Sequence, residues 1–445
     1  MQGLTNVGYP RNLSFITKRL NGYVRNNIRL QSIANNTASA GQVITVDLPS
    51  NAIIDCSTLQ MFFQGSTSST AGSCSFPRDI HQTITRCEVE INGTLVSTSC
   101  PYLEILYSIL ADTQYGADAK NRRSILNNAG NQGIPAANVT NQYLSINNFL
   151  SFIGSVAPNC INTSLLGNVR LRLTLASPNV LIQTANCTGA NYTFNNIVFS
   201  VDVIDIKDGI YHDLQQKFLQ SGAAHEYVFH NYYSFSTPVS GSFNTSLKFS
   251  LSTQSLNRAW AAFVHAYPYN LVSIGGVTTT AAAYDPIRQD SSYFTRLSGG
   301  TNGSTIVYSS GNSIDYLMNN YQYNINNVAT PNWLVPAEYA HGILTSGYGI
   351  NYDTVHGGDP NLNSMNAWLS AYSVFHTKLD HGGDGSGLIS GINTSGNISQ
   401  AYCQITGPSW VVTGTAVPAN VLGVVFVESS ASLMVAANRQ LQLIL

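Results

Sequence analysis

The chain has 445 residues, of which 44% are hydrophobic, 10% aromatic and only 9% charged, and its formal net charge is −2. This length suits two domains, and the aromatic content excludes an intrinsically disordered chain. Because soluble proteins carry about 25% charged residues, the polar surface here must consist mainly of Asn, Ser, Thr, Gln and Gly. Such a surface has a weak electric field, so many copies can crowd together with little repulsion. A secreted, glycosylated β-protein is an alternative interpretation.

The N-terminal segment is basic although the whole chain is nearly neutral. Five basic residues lie in the first thirty positions, namely Arg11, Lys18, Arg19, Arg25 and Arg29, and the first acidic residue is Asp47. We predict that residues 1–40 form a basic arm without compensating carboxylates, ahead of a strand core that begins near residue 41. Such an arm can contact nucleic acid, anionic lipid or an acidic partner. A simple solvated tail is the alternative.

Alternating apolar and polar residues predict β-strands along most of the chain. In residues 169–175, VRLRLTL, the apolar residues all fall on one face. Clusters of Gly, Asn and Ser between such runs predict turns, and strands do not alternate with helices, which disfavours a parallel α/β sheet. The pattern predicts an all-β fold with sandwiches at 41–206 and 225–445. Each sandwich has the length that an eight-stranded jelly roll needs.

A helix is predicted between the two sandwiches, as a linker over residues 207–224. Asp208 is a suitable N-cap, and Gly222 is suited to a left-handed stop. Four residues form its apolar face: Tyr211, Leu214, Phe218 and Leu219. We expect this face to pack beneath the sandwiches and to fix their relative position.

A second helix is predicted in PYLEILYSILAD, residues 101–112, where Pro101 suits the first helical position. Its apolar stripe consists of Leu103, Leu106, Tyr107 and Leu110. We expect this helix to cover one end of the first sandwich.

The sequence contains no pattern that identifies a catalytic, cofactor or metal site. The seven cysteines include no C-x-x-C pair, which excludes zinc-ribbon and thioredoxin-type sites and favours reduced, buried thiols inside a cell. HEYVFH, residues 225–230, differs from the zinc-protease motif H-E-x-x-H, because its histidines are five apart and would point to opposite faces of a strand. The two HGGD segments, at 356–359 and 381–384, are interpreted as loop tips, with a hard-cation site as the alternative.

Four segments, in this order, carry a resemblance to a known family. They are GQVITVDLPSNAIIDCSTLQMFFQG at 41–65, ITRCEVEINGTLV at 84–96, residues 143–175, and IDIKDGIYHDLQQKFLQSGAAHEYVFHNYYSF at 204–235. Together they resemble the double jelly-roll major capsid proteins of tailless icosahedral dsDNA viruses, the lineage of adenoviruses, virophages and polinton-like viruses. The second half matches only in length and strand content.

The resemblance implies two jelly rolls side by side, joined by a helical linker, in a non-enzymatic major capsid protein without a cofactor. It also implies a homotrimer, a pseudo-hexameric capsomer, which contacts neighbouring capsomers and minor penton or cement proteins in the virion after assembly inside the host cell. The basic arm would then face genome, internal membrane or a minor protein. The alternatives are a secreted carbohydrate-binding or glycan-hydrolysing β-sandwich and a receptor-binding fibre or spike protein.

Overall fold

The structure is a computed structural model. It describes residues 23–33, 36–77, 79–97, 100–114, 137–184, 187–206, 217, 220–222, 224–239, 245–265, 320–336, 374–380, 391–395, 401–406, 421–436 and 440–444. These residues form antiparallel sheets, as the alternating sequence pattern predicts.

The first half of the chain is a sandwich of a larger and a smaller sheet. Its strands are β1 Tyr23–Gln31, β2 Ala38–Ser39, β3 Val43–Asp47, β4 Ile53–Ser68, β5 Cys74–Ser75, β6 Ile84–Ile91, β7 Thr94–Ser97, β8 Gln142–Ile146, β9 Cys160–Asn162, β10 Val169–Leu175, β11 Ile182–Gln183 and β12 Asn191–Ile206. The larger sheet has the order β1-β12-β4-β8, with β2 and β9 attached, and the smaller has the order β3-β10-β6-β7. The short strands β5 and β11 pair separately.

The second half repeats this arrangement. Its strands are β13 His225–Val239, β14 Thr245–Phe249, β15 Leu256–His265, β16 Asn320–Ile325, β17 Val328–Pro336, β18 Val374–Lys378, β19 Ala401–Thr406, β20 Val421–Ala436 and β21 Gln440–Ile444. One sheet has the order β13-β20-β15-β18, with β21 attached to β20, and the other has the order β14-β19-β16-β17.

The two sandwiches have the same topology. When the eight main strands of each half are numbered from its start, both halves give sheets of order 1-8-3-6 and 2-7-4-5. Two four-stranded sheets that exchange strands in this way form a jelly roll. The predicted fold class, two tandem eight-stranded jelly rolls, is confirmed.

The first jelly roll begins earlier than the sequence predicts. Strand β1 pairs with β12 at nine consecutive positions, from Tyr23 opposite Ile206 to Gln31 opposite Val198. The expectation that the strand core begins near residue 41 is therefore wrong. The reason is that Val24–Asn27 of this edge strand are all exposed, so apolar and polar residues alternate regularly only over Ile28–Gln31, which is a weak strand signal.

The strand interiors follow the predicted alternation. In β10, the apolar residues are buried, while Arg170 and Arg172 are only half-buried and form ion pairs with Asp47 and Glu90. Aromatic residues fill the centre of this sandwich, where the rings of Phe63 and Phe194 stack with centroids 3.9 Å apart. The core therefore lies between the two sheets of each jelly roll, as the pattern predicts.

Short helices connect the strands. The predicted second helix is present as α1, Leu103–Gln114, and its four stripe residues are buried. It begins two residues after Pro101, because Tyr102 adopts a left-handed φ of 64°. Two single-turn helices follow, α2 Phe152–Ser155 and α3 Thr163–Leu166. No helix among the described residues is both long and apolar enough to span a bilayer.

The end of the predicted linker helix is visible. The Ser221 amide donates to the Lys217 carbonyl at 3.0 Å, and Gly222 follows with a φ of 81°. A left-handed stop at Gly222 is thus confirmed. The four residues of the predicted apolar face, Tyr211, Leu214, Phe218 and Leu219, lie outside the described residues.

Candidate assembly site at the junction between the jelly rolls

The first jelly roll binds directly to strand β13 of the second. The Ala157 amide donates to the Val228 carbonyl at 2.7 Å, and the Val228 amide donates to the Ala157 carbonyl at 3.1 Å. Strand β13 is the edge of its sheet, and an edge strand leaves a row of backbone groups without partners. The first jelly roll supplies partners for this row.

Further hydrogen bonds extend the contact along β13. The His230 amide donates to Ser155 Oγ at 2.8 Å, and the Ser234 hydroxyl donates to the Pro101 carbonyl at 2.5 Å. Ser155 Oγ in turn donates at 2.7 Å to the carbonyl of Ser151, the residue that precedes α2. Because these bonds involve several points along one strand, they fix both the position and the direction of β13 against the first jelly roll.

An aromatic pair forms the apolar centre of the junction. Phe152 of α2 and Phe229 of β13 are both fully buried, with ring centroids 5.0 Å apart at an interplanar angle of 73°. This edge-to-face geometry is favourable for aromatic rings. The junction thus combines a buried apolar contact with backbone hydrogen bonds.

His81 holds the segment that leads into α2. Its Nε2 accepts the amides of Asn147 and Asn148 at 3.3 and 3.1 Å. The ring hydrogen therefore lies on Nδ1, which donates to Asp79 Oδ1 at 2.5 Å. The side chain is 3% exposed, so this buried imidazole is a structural residue that positions the junction.

Helix α1 holds the same segment beside His81, with the rings of Tyr107 and His81 5.6 Å apart between centroids. The Tyr107 hydroxyl donates to the Asn148 carbonyl at 2.9 Å and accepts the Leu150 amide at 3.3 Å. The helix that the sequence predicts as a cover for the first sandwich also positions the chain that reaches the second sandwich. Sequence reasoning missed this role.

The HEYVFH segment is part of β13, as predicted. His225 and His230 lie on opposite faces of the strand, since β13 pairs with β20 without a register shift. His230 Nδ1 is 3.9 Å from Glu428 Oε1 and 3.4 Å from Asn257 Nδ2, whereas burial lowers the pKa of His225. The two imidazoles cannot share a metal ion. No group of three potential metal ligands occurs among the described residues.

The predicted basic arm divides into two parts. Arg11, Lys18 and Arg19 lie outside the described residues, while Arg25 and Arg29 belong to β1.

Arg25 is not an uncompensated charge. Its Nε lies 2.6 Å from Asp202 Oδ2, and its terminal nitrogen lies 3.0 Å from Asp55 Oδ2. Asn27 donates to the other oxygen of Asp202 at 2.7 Å, and this bond together with Arg25 lowers the pKa of Asp202. The expectation of an arm without carboxylates is therefore wrong at Arg25, because the partners come from strands distant in sequence.

The cysteines are free thiols. Burial raises the pKa of Cys74 to about 11 and the pKa of Cys87 and Cys100 to about 12. A thiol with such a pKa is protonated at neutral pH and is a poor nucleophile.

The two HGGD segments, which the sequence offers as loop tips or as a cation site, lie outside the described residues. Asp380, which directly precedes the second segment, is described, and its carboxylate lies 3.8 Å from Arg258 Nε.

Sequence reasoning did not find the junction because most of its bonds use backbone groups. Ala157 and Val228 carry no side-chain signal for their contact, and Ser155 is one of many serines in a serine-rich chain. The pair Phe152 and Phe229 is the one available signal, since both are large apolar residues that the structure buries completely. Their pairing still depends on the tertiary structure.

Solved structures share this architecture. The chain aligns with the VP54 protein of PBCV-1, fitted into a reconstruction of the virophage Sputnik, at a TM-score of 0.61 and 14% identity, over 95% of this chain and 97% of that one. It aligns with the PBCV-1 virus capsid model at a TM-score of 0.59 and 13% identity, with the same two coverages. It aligns with the cryo-EM structure of the Sputnik virophage at a TM-score of 0.51 and 10% identity, over 95% of this chain and 89% of that one.

No protein-family model matches the sequence, and no curated protein matches it by sequence. The likeness at 10–14% identity concerns the fold. It extends over nearly the whole chain, including the second half, for which the sequence resemblance is weak. The chain therefore has the double jelly-roll fold that the resemblance implies.

Proposed function

We propose that this chain is a major capsid protein, a structural subunit that assembles into the shell of an icosahedral virus and has no catalytic role. The observation that carries the proposal is the repetition of one jelly-roll topology in a single chain, matched over 95% of its length by structures of a virus capsid and a virophage. The location of the protein would be the virion.

The junction between the jelly rolls supports this function. A shell subunit must keep a fixed shape so that its edges match those of its neighbours. The buried pair Phe152 and Phe229 and the backbone bonds between Ala157 and Val228 hold the two jelly rolls in one arrangement. A charge-poor surface further favours close packing of many identical copies.

We further propose that three copies of the chain form a trimer. Three copies present six jelly rolls around one axis, and this pseudo-hexameric block tiles a flat facet. Neighbouring capsomers and minor penton or cement proteins would then contact its sides. Light scattering on the purified protein tests the trimer, with an expected mass three times that of the 48.0 kDa chain. A mass of one chain that persists at high concentration would contradict the proposal.

The segment ahead of β1 is proposed to bind an anionic interior component of the virion, such as genome, membrane or a minor protein. Its basic residues are Arg11, Lys18 and Arg19. Deletion of residues 1–22 leaves β1 intact, so the trimer should persist while particle assembly or genome retention falls. Such binding should weaken with salt, since neutralised phosphates release counterions. Normal yields of full particles from the truncated protein would instead indicate a solvated tail.

A secreted carbohydrate-binding or glycan-hydrolysing protein remains an alternative. No observation among the described residues favours it.

A further inference from the structure

Beyond the larger sheet of the first jelly roll, the segment that leaves β4 and the segment that enters β12 remain paired. Ala71 and Thr188 exchange backbone bonds of 3.0 and 3.4 Å, and Cys74 of β5 lies opposite Gln183 of β11. The two segments therefore form a narrow antiparallel extension of the sheet. Cys187 directly precedes Thr188, so two cysteines that are distant in sequence lie on facing segments.

Hydrogen bonds fix the backbone of both cysteines. The Cys74 amide donates to Asn138 Oδ1 at 2.9 Å, and the Cys74 carbonyl accepts the Thr67 hydroxyl at 2.7 Å. The Cys187 amide donates to the Thr184 carbonyl at 2.9 Å. Because both backbones are held in place, the fold sets the separation of the two side chains.

Gly72 permits the close approach of the two segments. Its φ of 69° is one that glycine adopts readily, and a Cβ at this position would lie 2.8 Å from the Cα of Cys187. A side chain at position 72 would thus push Cys187 away from Cys74. With glycine there, the two thiols lie in hydrogen-bonding contact with each other.

The two thiols differ in exposure and in acidity. Cys74 is fully buried, and burial raises its pKa to about 11, whereas Cys187 is half-buried. Burial also raises the pKa of Cys187, but hydrogen bonds from Cys74 and Ser69 oppose this rise because they stabilise the thiolate. A half-exposed thiol with a stabilised thiolate is the first to react with an oxidant, and a second thiol in contact with it can resolve the product.

We propose that Cys74 and Cys187 are a redox pair, reduced inside a cell and joined as an intramolecular disulfide once the protein meets a disulfide oxidant outside it. The inference goes beyond the proposed function and does not depend on it. The bond would join the segment that follows β4 to the segment that precedes β12. It would therefore lock the end of the larger sheet.

The oxidation needs a disulfide R–S–S–R, such as oxidised glutathione. The Cys187 thiolate attacks one sulfur of this oxidant, forms a mixed disulfide and releases the first R–S⁻, which takes up a proton. The Cys74 sulfur, as it loses its proton to solvent, then attacks the sulfur of Cys187 and releases the second R–S⁻, which is also protonated. The two cysteines are oxidised to one disulfide by two electrons, and R–S–S–R is reduced to two molecules of R–SH.

Treatment of the full-length protein with oxidised glutathione tests this pairing. After the remaining thiols are blocked with N-ethylmaleimide, peptide mapping without reductant should find the Cys74 peptide joined to the Cys187 peptide, and dithiothreitol should separate the two. Cys160 is the matched control, because it is also half-buried but lies opposite Asp55, whereas Cys56 points to the other face of β4. Its reaction should stop at a mixed disulfide with glutathione.

Two substitutions separate the roles of the thiols. C74S should accumulate the mixed disulfide on Cys187, and C187S should leave Cys74 reduced because that thiol is buried. Oxidation of the wild type should raise Tm by about 5 °C or more, since the bond restricts the unfolded chain, whereas the Tm of C187S should not respond to the oxidant.

The wild-type map decides the matter even if C74S does not fold. Cys74 and Cys187 that are both blocked by N-ethylmaleimide, in a sample where Cys160 has reacted with glutathione, would overturn the inference. A persistent mixed disulfide on wild-type Cys187, or a link from Cys74 to any other cysteine, would also overturn it. A monomeric protein that forms the expected disulfide would contradict the proposed trimer and still support this inference.

Discussion

The two jelly rolls have one topology but differ in which of their surfaces are covered. In β12 buried residues alternate with half-exposed ones, so one face of the larger sheet in the first jelly roll is open. In β20 the residues from Gly423 to Leu433 are all buried, so both faces of the equivalent strand are covered. Strand pairing thus sets the fold, while burial depends on what packs against each sheet.

This difference explains where polar residues are buried. On β20, Glu428 and Ser430 are each only 5% exposed, and Ser429 is fully buried. Strands β12 and β20 both contain 16 residues, so their positions can be matched from the first residue onward. The matched residues of β12, from Val198 to Ser200, alternate between the interior and the open face. A centrally placed strand buries polar groups whenever both its faces are covered, whereas an alternating strand can leave them at the surface.

The largest expected effect compares β13, whose edge binds the first jelly roll, with β1, the equivalent strand of the first jelly roll. Phe229→Ala should lower the free energy of unfolding by about 3–5 kcal/mol, because it leaves a cavity against Phe152. Ile28→Ala is the matched substitution on β1, because Ile28 and Phe229 lie opposite matched residues of β12 and β20. It should cost clearly less in the dissociated chain, since Ile28 is half-buried there. Urea unfolding of both variants at low protein concentration provides the comparison.

Equal losses of stability in the two variants would show that the edges are covered to the same extent. The distinction between β1 and β13 would then fail. Phe152→Ala serves as a further control, because loss of the same aromatic pair from the other side should give a cost similar to that of Phe229→Ala.

The sequence was sufficient to predict the fold class and the alternation in strands such as β10. It was also sufficient for the helix at Leu103 and the left-handed stop at Gly222, because these features depend on local periodicity and on the conformational freedom of glycine. It failed at β1 because an exposed edge strand needs only backbone bonds to one neighbour. It failed for the junction because Ala157 and Val228 meet through backbone groups alone.

An effect of intermediate size is expected from the buried tyrosine hydroxyl groups in the cores of the two jelly rolls. The Tyr192 hydroxyl donates to the Ala176 carbonyl in the first jelly roll, and the Tyr323 hydroxyl donates to the Phe375 carbonyl in the second, each at 2.6 Å. Both tyrosines are fully buried. Replacement of either by Phe leaves a buried carbonyl with one partner fewer, so each variant should lose about 1–3 kcal/mol.

Thermal or urea unfolding of the two variants measures these losses. Burial raises the pKa of both phenols well above 10, so the losses should not change between pH 6 and about pH 9. A loss confined to one variant would mean that the two cores depend differently on their buried hydroxyl groups, despite the same topology.

The smallest expected effect concerns Asp202, whose counterpart in the second jelly roll is the uncharged Ser432. The bonds from Asn27 and Arg25 hold the pKa of Asp202 below its usual value near 3.8, so the carboxylate stabilises the fold above about pH 4 and this contribution is lost as pH falls through the lower, folded-state pKa. Asp202→Asn should therefore lower stability at pH 7 and flatten the decline in stability below pH 4. Because Arg25 is exposed, the difference in stability at pH 7 should stay under about 1 kcal/mol and shrink with added salt.

Urea unfolding of the wild type and Asp202→Asn from pH 7 to pH 3 measures this difference. Ser432→Ala is the matched control, in which the slope of stability below pH 4 should stay at the wild-type value. The same slope in Asp202→Asn and wild type would mean that the bonds from Asn27 and Arg25 do not lower the pKa of Asp202, and Arg25 would then have Asp55 as its one effective partner at this edge.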